Sequence, residues 1–540
     1  MEAKVEPQYD LLISNGMILD GAGNPWFRGD IGIKNGRIER IGIISASYTR
    51  TIDAEGLVVV PGLIDIHTHN DLTVLPYPGL ESYVMQGVTT SVTGNCGLSI
   101  APVNPARVHL LKRYLSPFLK AGHDYGWDWL TLGDFCQKIE ENGFAHNLVP
   151  LVGQGTIRLA VKGYDRGDAT TEEMTAMKKF LEESLEDGAF GLSAGLIYPP
   201  GSYTSTEELV DLTSVLSAYG GLYSVHMRDE SDSLVESLEE TIRIAEQNRI
   251  PLEISHHKAA GQSNWGKVNE TLHLMQNARC RGVEINCDVY PYVAGSTTMT
   301  VTLPGWLLEG GIEKMLDLLR SSEVRRRVQN DSMHGVMKGE NWVKSVGWNR
   351  IVVGECPSHR QYEGKSLQQV IAERNALDEP FEAFFDWLIE VEGNATAVVF
   401  MMAEEDVKTV IRSPLSMIVS DAWATAPCGG GKPHPRAYGS FPRVLGKYVR
   451  DEKLLSLADA VRKMTSLPAG KLRLQDRGLV KEGFAADLVV FDPGTIKDTA
   501  TYENPHQYPE GITHVIVNGQ TVVDNGELTG ARPGRVLRRS

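Results

Sequence analysis

Apolar residues along this chain gather into short runs of two kinds. Between residues 9 and 60 they alternate with polar ones and are punctuated by turn signals: LLIS before Asn15-Gly16, DIGI before Asn35-Gly36, then RIERIGI and LVVV. Asn-Gly flanked by such runs predicts a hairpin, because both residues tolerate the positive φ of a tight turn. The style returns in ADLVVFD (486–492) and THVIVNGQTVVDNGE (513–527). Both ends are therefore predicted to build one small β-sandwich domain, from residues 1–60 plus 475–540, with the termini close together.

The middle of the chain reads differently. Eight apolar runs occupy 63–67, 88–94, 148–153, 189–196, 222–226, 251–255, 283–289 and 415–420. Most are separated by helical patterns such as TEEMTAMKKFLEESLEDG and DSLVESLEETIRIAEQN. Strands alternating with helices predict a parallel sheet with right-handed crossovers, and eight strands close a barrel. The predicted fold is α/β: a (β/α)8 TIM-like barrel over 61–474 carrying the terminal sandwich. The gap of about 125 residues between runs seven and eight is far longer than a crossover needs. Its helical patterns (IEKMLDLLRSSEVRRRV, LQQVIAERNAL, PFEAFFDWLIEV) predict an inserted lid subdomain at about 297–400, over the barrel mouth.

Composition narrows the class of function. The 540 residues are 42% hydrophobic and 23% charged, near globular averages of about 45–50% and 25%. The apolar runs stay under about 10 residues where a membrane span needs about 20. The N-terminus carries acids before any apolar stretch and lacks a signal-peptide core. Net charge is −16, and no Lys/Arg block exceeds Arg325 to Arg327, so neither nucleic acid nor a membrane is an expected partner. Six cysteines without a CxxC pair suit reduced thiols. A cytoplasmic enzyme acting on a small molecule is expected; its oligomeric state is not legible.

The candidate chemistry sits where runs end. His67 and His69 close the first run, Cys96 follows the second, His226 and His256 end the fifth and sixth, and Asp421 ends the eighth. A side chain at the carboxyl end of a barrel strand points into the mouth, where active sites of this architecture are built. HxH puts two imidazoles on one strand face, with Asp65 as a second-shell acceptor. Imidazole, thiolate and carboxylate are zinc donors, and zinc lowers the pKa of a water in its open position to about 7. Asp421 is the expected general base, returning the proton to the leaving amine. Arg436 in KPHPRAYG can clamp a carboxylate bidentately, with Lys258 as a point charge. His257 alternates to the other side and is expected to pack between barrel and helices.

At PGLIDIHTHND, GVTTSVTGNCG, GLSAGLIYPPG, VHMRDE, ISHHKAAG, DVYPYVAGST, SDAW and KPHPRAYGSFPRVLG the chain resembles the amidohydrolase superfamily, and more closely its N-acyl-D-amino-acid deacylase (D-aminoacylase) family. Many amidohydrolases carry a carboxylated lysine on strand four. Here FGLSAGLIY has Ser193 in that segment, and Cys96 stands where the D-aminoacylases have a cysteine ligand. The resemblance implies a tight zinc site of Cys96, His226 and His256, and a second, weaker position at His67, His69 and Asp421, with Cys96 able to bridge. It assigns carboxylate recognition to Lys258, Tyr290 and Arg436, with Ser296 nearby. Ile197, Leu303 to Trp306 and Met401-Met402 occupy pocket-lining segments and are apolar, which favours a hydrophobic D-side chain. Gln154 stands where many relatives have histidine, and the loop after Asp421 is long.

The implied activity is zinc-dependent hydrolysis of N-acyl-D-amino acids. Two alternatives are a cyclic-amide hydrolase of the hydantoinase or dihydroorotase kind, against which the absent strand-four lysine and Cys96 count, and a non-catalytic scaffold, against which the six filled ligand positions count.

Overall fold

A computed structural model of the chain describes residues 8–334 and 341–539. The N-terminal alternation becomes β1 (Tyr9–Ile18), β2 (Phe27–Lys34), β3 (Arg37–Gly42), β4 (Tyr48–Asp53) and β5 (Val58–Pro61). The barrel follows: β6 (Leu63–Asp65), β7 (Val88–Thr93), β8 (Asn147–Pro150), its continuation β9 (Val152–Gly153), β10 (Gly191–Gly195), β11 (Leu222–His226), β12 (Leu252–Ile254) and β13 (Ile285–Val289). An insert carries β14 (Ala294–Thr298), β15 (Ile351–Val353) and β16 (Thr396–Phe400) before the last barrel strand, β17 (Ser416–Ile418). The chain ends with β18 (Leu488–Phe491), β19 (Ile512–Val517), β20 (Gln520–Asp524) and β21 (Glu527–Leu528).

Parallel strands run β6-β7-β8 and β9-β10-β11-β12-β13-β17. Leu151 joins β8 to β9, its N–H donating to Thr93 O at 2.9 Å. At the other seam a parallel bridge pairs Thr68 with Ala422, and the Asp421 N–H reaches His67 O at 3.0 Å. The eight predicted runs thus form a ring whose closing contacts lie at the candidate ligands. Both helical patterns quoted above are helices, Thr171–Glu186 and Leu234–Asn248. The first opens with a capping box, Thr170 and Glu173 each satisfying the other's backbone N–H.

Strands from both ends share one network, ordered β21-β20-β19-β18-β5-β1-β2-β3 with β4 on β1. It curls round its own sandwich-like core, which includes Leu11, Ile13, Ile31, Ile33, Leu488 and Ile516. One turn signal misleads. Asn15-Gly16 lies inside β1, where the register against β2 shifts between Ile13 and Gly16. Asp30 accepts the Asn15 N–H at 3.0 Å and Asp53 the Asn15 amide at 3.0 Å, so the pair makes a bulge and not a hairpin. Asn35-Gly36, Asn518-Gly519 and Asn525-Gly526 do separate paired strands. The chain's end then leaves the sheet: Leu148 donates to Arg535 O at 3.0 Å and accepts from Leu537 N at 2.8 Å, so the tail pairs along β8 of the barrel.

The insert is helical where expected, at Gly311–Leu318, Ser322–His334, Leu367–Glu373 and Pro380–Glu390. It also holds an antiparallel sheet, β14-β16-β15, whose short strands lack a periodic signature of their own. Residues 335–340 of the insert, and 1–7 and 540 of the sandwich segments, lie outside the described residues. Among the described residues no helix is long and apolar enough to cross a membrane.

Candidate metal centre

Three of the six candidate ligands sit in the left-handed region: Cys96 at φ 53°, His256 at 36° and Asp421 at 51°. Each such residue costs of order 1–3 kcal/mol and persists only when its surroundings over-determine it. For Cys96 the surroundings are visible. Gly94 and Gly97 bracket it at positive φ; a Cβ on Gly94 would lie 2.2 Å from Leu151 O, and one on Gly97 2.7 Å from Gly195 N. Asn95 donates its amide to Val92 O and Thr68 O, at 3.1 and 3.3 Å. Ser193 bonds both flanks of the loop, accepting from Gly97 N at 2.9 Å and donating to Gly94 O. Ser193, on the fourth barrel strand, thus fastens the loop that carries the cysteine.

The six side chains converge. Donor atoms of His67, His69, Cys96 and Asp421 form one buried group, and those of Cys96, His226 and His256 a second, each within 4.8 Å. Cys96 belongs to both. His67 Nε2 lies 3.2 Å from Cys96 Sγ and 3.3 Å from Asp421 Oδ1; His69 Nε2 is 3.4 Å from the same oxygen, and His256 Nε2 is 3.5 Å from the sulfur. Tetrahedral zinc with bonds of about 2.0–2.3 Å holds its donors roughly 3.3–3.7 Å apart. Among the described residues neither buried ring nitrogen of His226 has a hydrogen-bond partner, Glu230 standing off from Nε2 at 3.6 Å, and His69 Nδ1 is alike. Burying them without a partner is unfavourable. The donor set fits a metal.

Electrostatics point the same way. Burial would raise the Cys96 thiol, but the His67 and His256 imidazoles hold it well below the ordinary thiol range. Burial opposes ionisation of Asp421 too, and Arg436 with His67 outweighs it, keeping the carboxyl well below its usual range. Burial disfavours a charged His69, yet Asp421 and Cys96 lift it to about 9. The acidic donors are thus held in their ligating forms, whereas His69 needs a cation in the pocket in place of its proton.

Two carboxylates that the sequence reading left without a role orient the imidazoles. Asp288, at the end of β13, faces His67 Nδ1 at 3.3 Å and accepts the His256 N–H at 2.6 Å. Glu230 lies 3.0 Å from His256 Nδ1 and 2.5 Å from Lys258 Nζ. Asp65, expected to accept from a ligand imidazole, instead accepts backbone N–H groups of His67 and Ser420, at 3.2 and 3.1 Å. A carboxylate four residues past His226 and one ending an apolar run were the available signals. His257 turns away and contacts Thr271 at 2.8 Å on the neighbouring helix.

The substrate-facing residues need more correction. Arg436 is buried, donates to Asp421 Oδ2 at 2.7 Å and to Ser296 O at 3.1 Å, and lies over the Tyr290 ring at 4.7 Å. Lys258 is 2.7 Å from His256 Nδ1 and 5.8 Å from the Tyr290 ring centre. Both cations therefore begin with carboxylate partners. Lys258, Tyr290, Ser296 and Arg436 all line the cavity of about 470 Å³ above the donors. Ile197 and Met402 do not. Their neighbours Tyr198 and Met401 form the wall, with Leu98 and Trp342, while Met402 turns into the packed interior as its N–H pairs with Val293 O at 3.1 Å. Leu303 and Trp306 stand back as well, the Trp306 indole donating to Asp331 at 2.9 Å. Gln154 is buried and donates to Thr204 at 2.9 Å, outside the cavity.

A family model described as Amidohydrolase family matches residues 50–523. The chain belongs to the amidohydrolase family. This amidohydrolase is 38% identical to the D-aminoacylase of Alcaligenes xylosoxydans xylosoxydans over 98% of each chain. A crystal structure of D-aminoacylase superposes with a TM-score of 0.81 at 36% identity, covering 98% of this chain and 100% of the other. An N-acyl-D-glutamate deacylase from Bordetella bronchiseptica, solved with zinc and a phosphonate mimic of the tetrahedral intermediate, gives 0.80 at 32%, covering 98% and 99%. The match takes in both the barrel and the terminal sheet.

Proposed function

We propose that this amidohydrolase hydrolyses N-acyl-D-amino acids to a carboxylate and a free D-amino acid with the help of zinc, favouring hydrophobic side chains. The observation that carries the reading is the pair of donor groups sharing Cys96 directly beneath a cavity that also presents Arg436, Lys258 and Tyr290. Cys96, His226 and His256 would hold the tight zinc, and His67, His69 and Asp421 a weaker second ion with Cys96 between them. Zinc held there supplies Lewis acidity to the acyl carbonyl and acidifies water.

The chain's own residues do the rest. Asp421 takes the proton of the attacking water and delivers it to the leaving nitrogen, as a positioned carboxylate can. Arg436 keeps it ionised and aimed until substrate arrives. Asp288 holds His67 in the tautomer that leaves Nε2 free to ligate, and Glu230, shared with Lys258, orients His256 from its Nδ1 side. The α-carboxylate docks between Arg436, Lys258 and Tyr290, and the side chain enters the pocket of Leu98, Tyr198, Trp342 and Met401. Among the described residues Lys258 and Arg436 are the only Lys or Arg residues lining the cavity, and both face the α-carboxylate, so none of the described cations is left for a second carboxylate on an acidic side chain.

Three anchors on one chiral centre admit one enantiomer. Zinc-loaded protein is therefore expected to turn over N-acetyl-D-leucine, with kcat/KM for the L-enantiomer lower by about 10² or more, the scale of a lost positioning contact. Comparable values for the two enantiomers would remove the D-specific reading while leaving a zinc hydrolase. Ring opening of hydantoins at a higher rate would favour the cyclic-amide alternative. A chain with no zinc and no turnover on either class would be a scaffold.

A further inference from the structure

Two cavities meet at one aromatic pair. Phe118 and Trp423, with ring centres 5.5 Å apart and edge to face, line both the metal pocket and a second chamber open to solvent. Phe118 also lies parallel to His69 at 6.4 Å. The outer chamber is walled by Tyr77, Lys120, Ala121, Glu355, Arg360 and Glu363.

Building on the proposed deacylase activity, we propose that this chamber is the subsite for the far end of the acyl group, and that it selects acyl groups longer than acetyl whose far end is polar. The scissile amide has two halves. With the α-carboxylate at Arg436, Lys258 and Tyr290, the amine half is used up on that side of the donors, and the acyl half is left to run past His69 towards Phe118 and Trp423. An acetyl methyl stops at that pair. One more extended residue adds about 3.3–3.6 Å and carries the acyl chain between the rings into the chamber.

The lining argues for a polar occupant. Two carboxyl groups (Glu355, Glu363) and two cations (Lys120, Arg360) line the space, and Lys120 Nζ donates to Gly429 O at 2.7 Å, holding one rim in place. Glu363 accepts the Cys356 N–H at 3.1 Å, and Arg360 packs against Gly430. A hydrocarbon end would displace water from these groups and return no hydrogen bond. A secondary amide brings one N–H and one C=O, matched to a wall that mixes carboxylates with cations. An acylated aminoacyl group, as in the substrate N-(N-acetylglycyl)-D-leucine, has that chemistry.

The test reads release of free D-leucine from three substrates: N-acetyl-, N-pentanoyl- and N-(N-acetylglycyl)-D-leucine. The last two have acyl backbones of equal length. Wild-type kcat/KM should be higher for the acetylglycyl substrate than for the pentanoyl one by about fivefold or more. Ala121 is exposed on the chamber wall, so Ala121→Trp should fill the space and keep its thermal midpoint and zinc content. It should lower kcat/KM for the acetylglycyl substrate about tenfold and leave N-acetyl-D-leucine within about twofold. An equal loss on both substrates, no loss on either, or a wild-type preference for pentanoyl would overturn the subsite and leave the deacylase standing. Failure to hydrolyse even N-acetyl-D-leucine would overturn the deacylase reading, and the subsite with it.

Discussion

The floor and the wall of the metal pocket differ in how their residues are placed. Floor residues leave the ends of barrel strands, where pairing to both neighbours fixes the chain: His226 is the last residue of β11, and the Asp421 and His69 N–H groups bond across the seam to His67 O and Ala422 O. Wall residues come from loops beyond the strand ends and from the insert: Leu98 and Phe118 from the segment after β7, Tyr198 from the one after β10, Ser296 and Thr297 from β14, Trp342 and Met401 from the rest of the insert. A strand end limits where its side chains can point, whereas an insert resting on its own small sheet can change without disturbing the barrel. The floor is accordingly the place for shared chemistry and the wall for selectivity.

Substitutions can break that division. On the floor, Asp421→Asn should keep the tight zinc while kcat falls by roughly 10² or more, the usual scale for general acid-base catalysis; wild-type kcat would remove Asp421 from the mechanism. Glu230→Gln removes the carboxylate behind His256 and should weaken zinc binding by about 10–100-fold in a competitive chelator titration, as loss of such partners does. Unchanged affinity would assign Glu230 to Lys258 alone. On the wall, Arg436→Ala should raise KM by about 1.5–3 kcal/mol in binding terms, the value of a charge-assisted hydrogen bond. An unaltered KM would move the carboxylate contact to another residue. The finest cut is between adjacent methionines. Met401→Ala should change the ratio of kcat/KM between D-leucine and D-alanine derivatives by about 1–3 kcal/mol, while Met402→Ala should leave that ratio alone and lower stability by about 2–5 kcal/mol. Reversed roles would show that the side-chain pocket lies on the other face of the strand's continuation.

The same division governs what could be read from sequence. A barrel strand is a short buried run that announces its own end, so His67, Cys96, His226, His256 and Asp421 could be found by position alone. The left-handed backbone at Cys96, His256 and Asp421 could not, because it comes from contacts such as those of Ser193 and Asp288, made across the barrel. Asp288 lies near the end of an apolar run, but a carboxylate there has no spacing partner within reach in the sequence to mark its role. Segment alone points to Ile197 and to the Met401-Met402 pair, and it cannot tell Ile197 from Tyr198 or Met402 from Met401, since alternation along irregular chain cannot be phased without its neighbours. Asn15-Gly16 fails for a related reason: the dipeptide reports a permitted φ, and only Asp30 and Asp53, 15 and 38 residues away, make it a bulge and not a turn.

The central claim is that one cysteine joins the two donor groups into a single working centre. The direct measurement is zinc per chain, with turnover of N-acetyl-D-leucine, for wild type and Cys96→Ala purified alike. The account predicts that the variant loses both the zinc and the turnover while its fold, read by circular dichroism, is kept. Stoichiometric zinc with near-normal turnover in Cys96→Ala would contradict it.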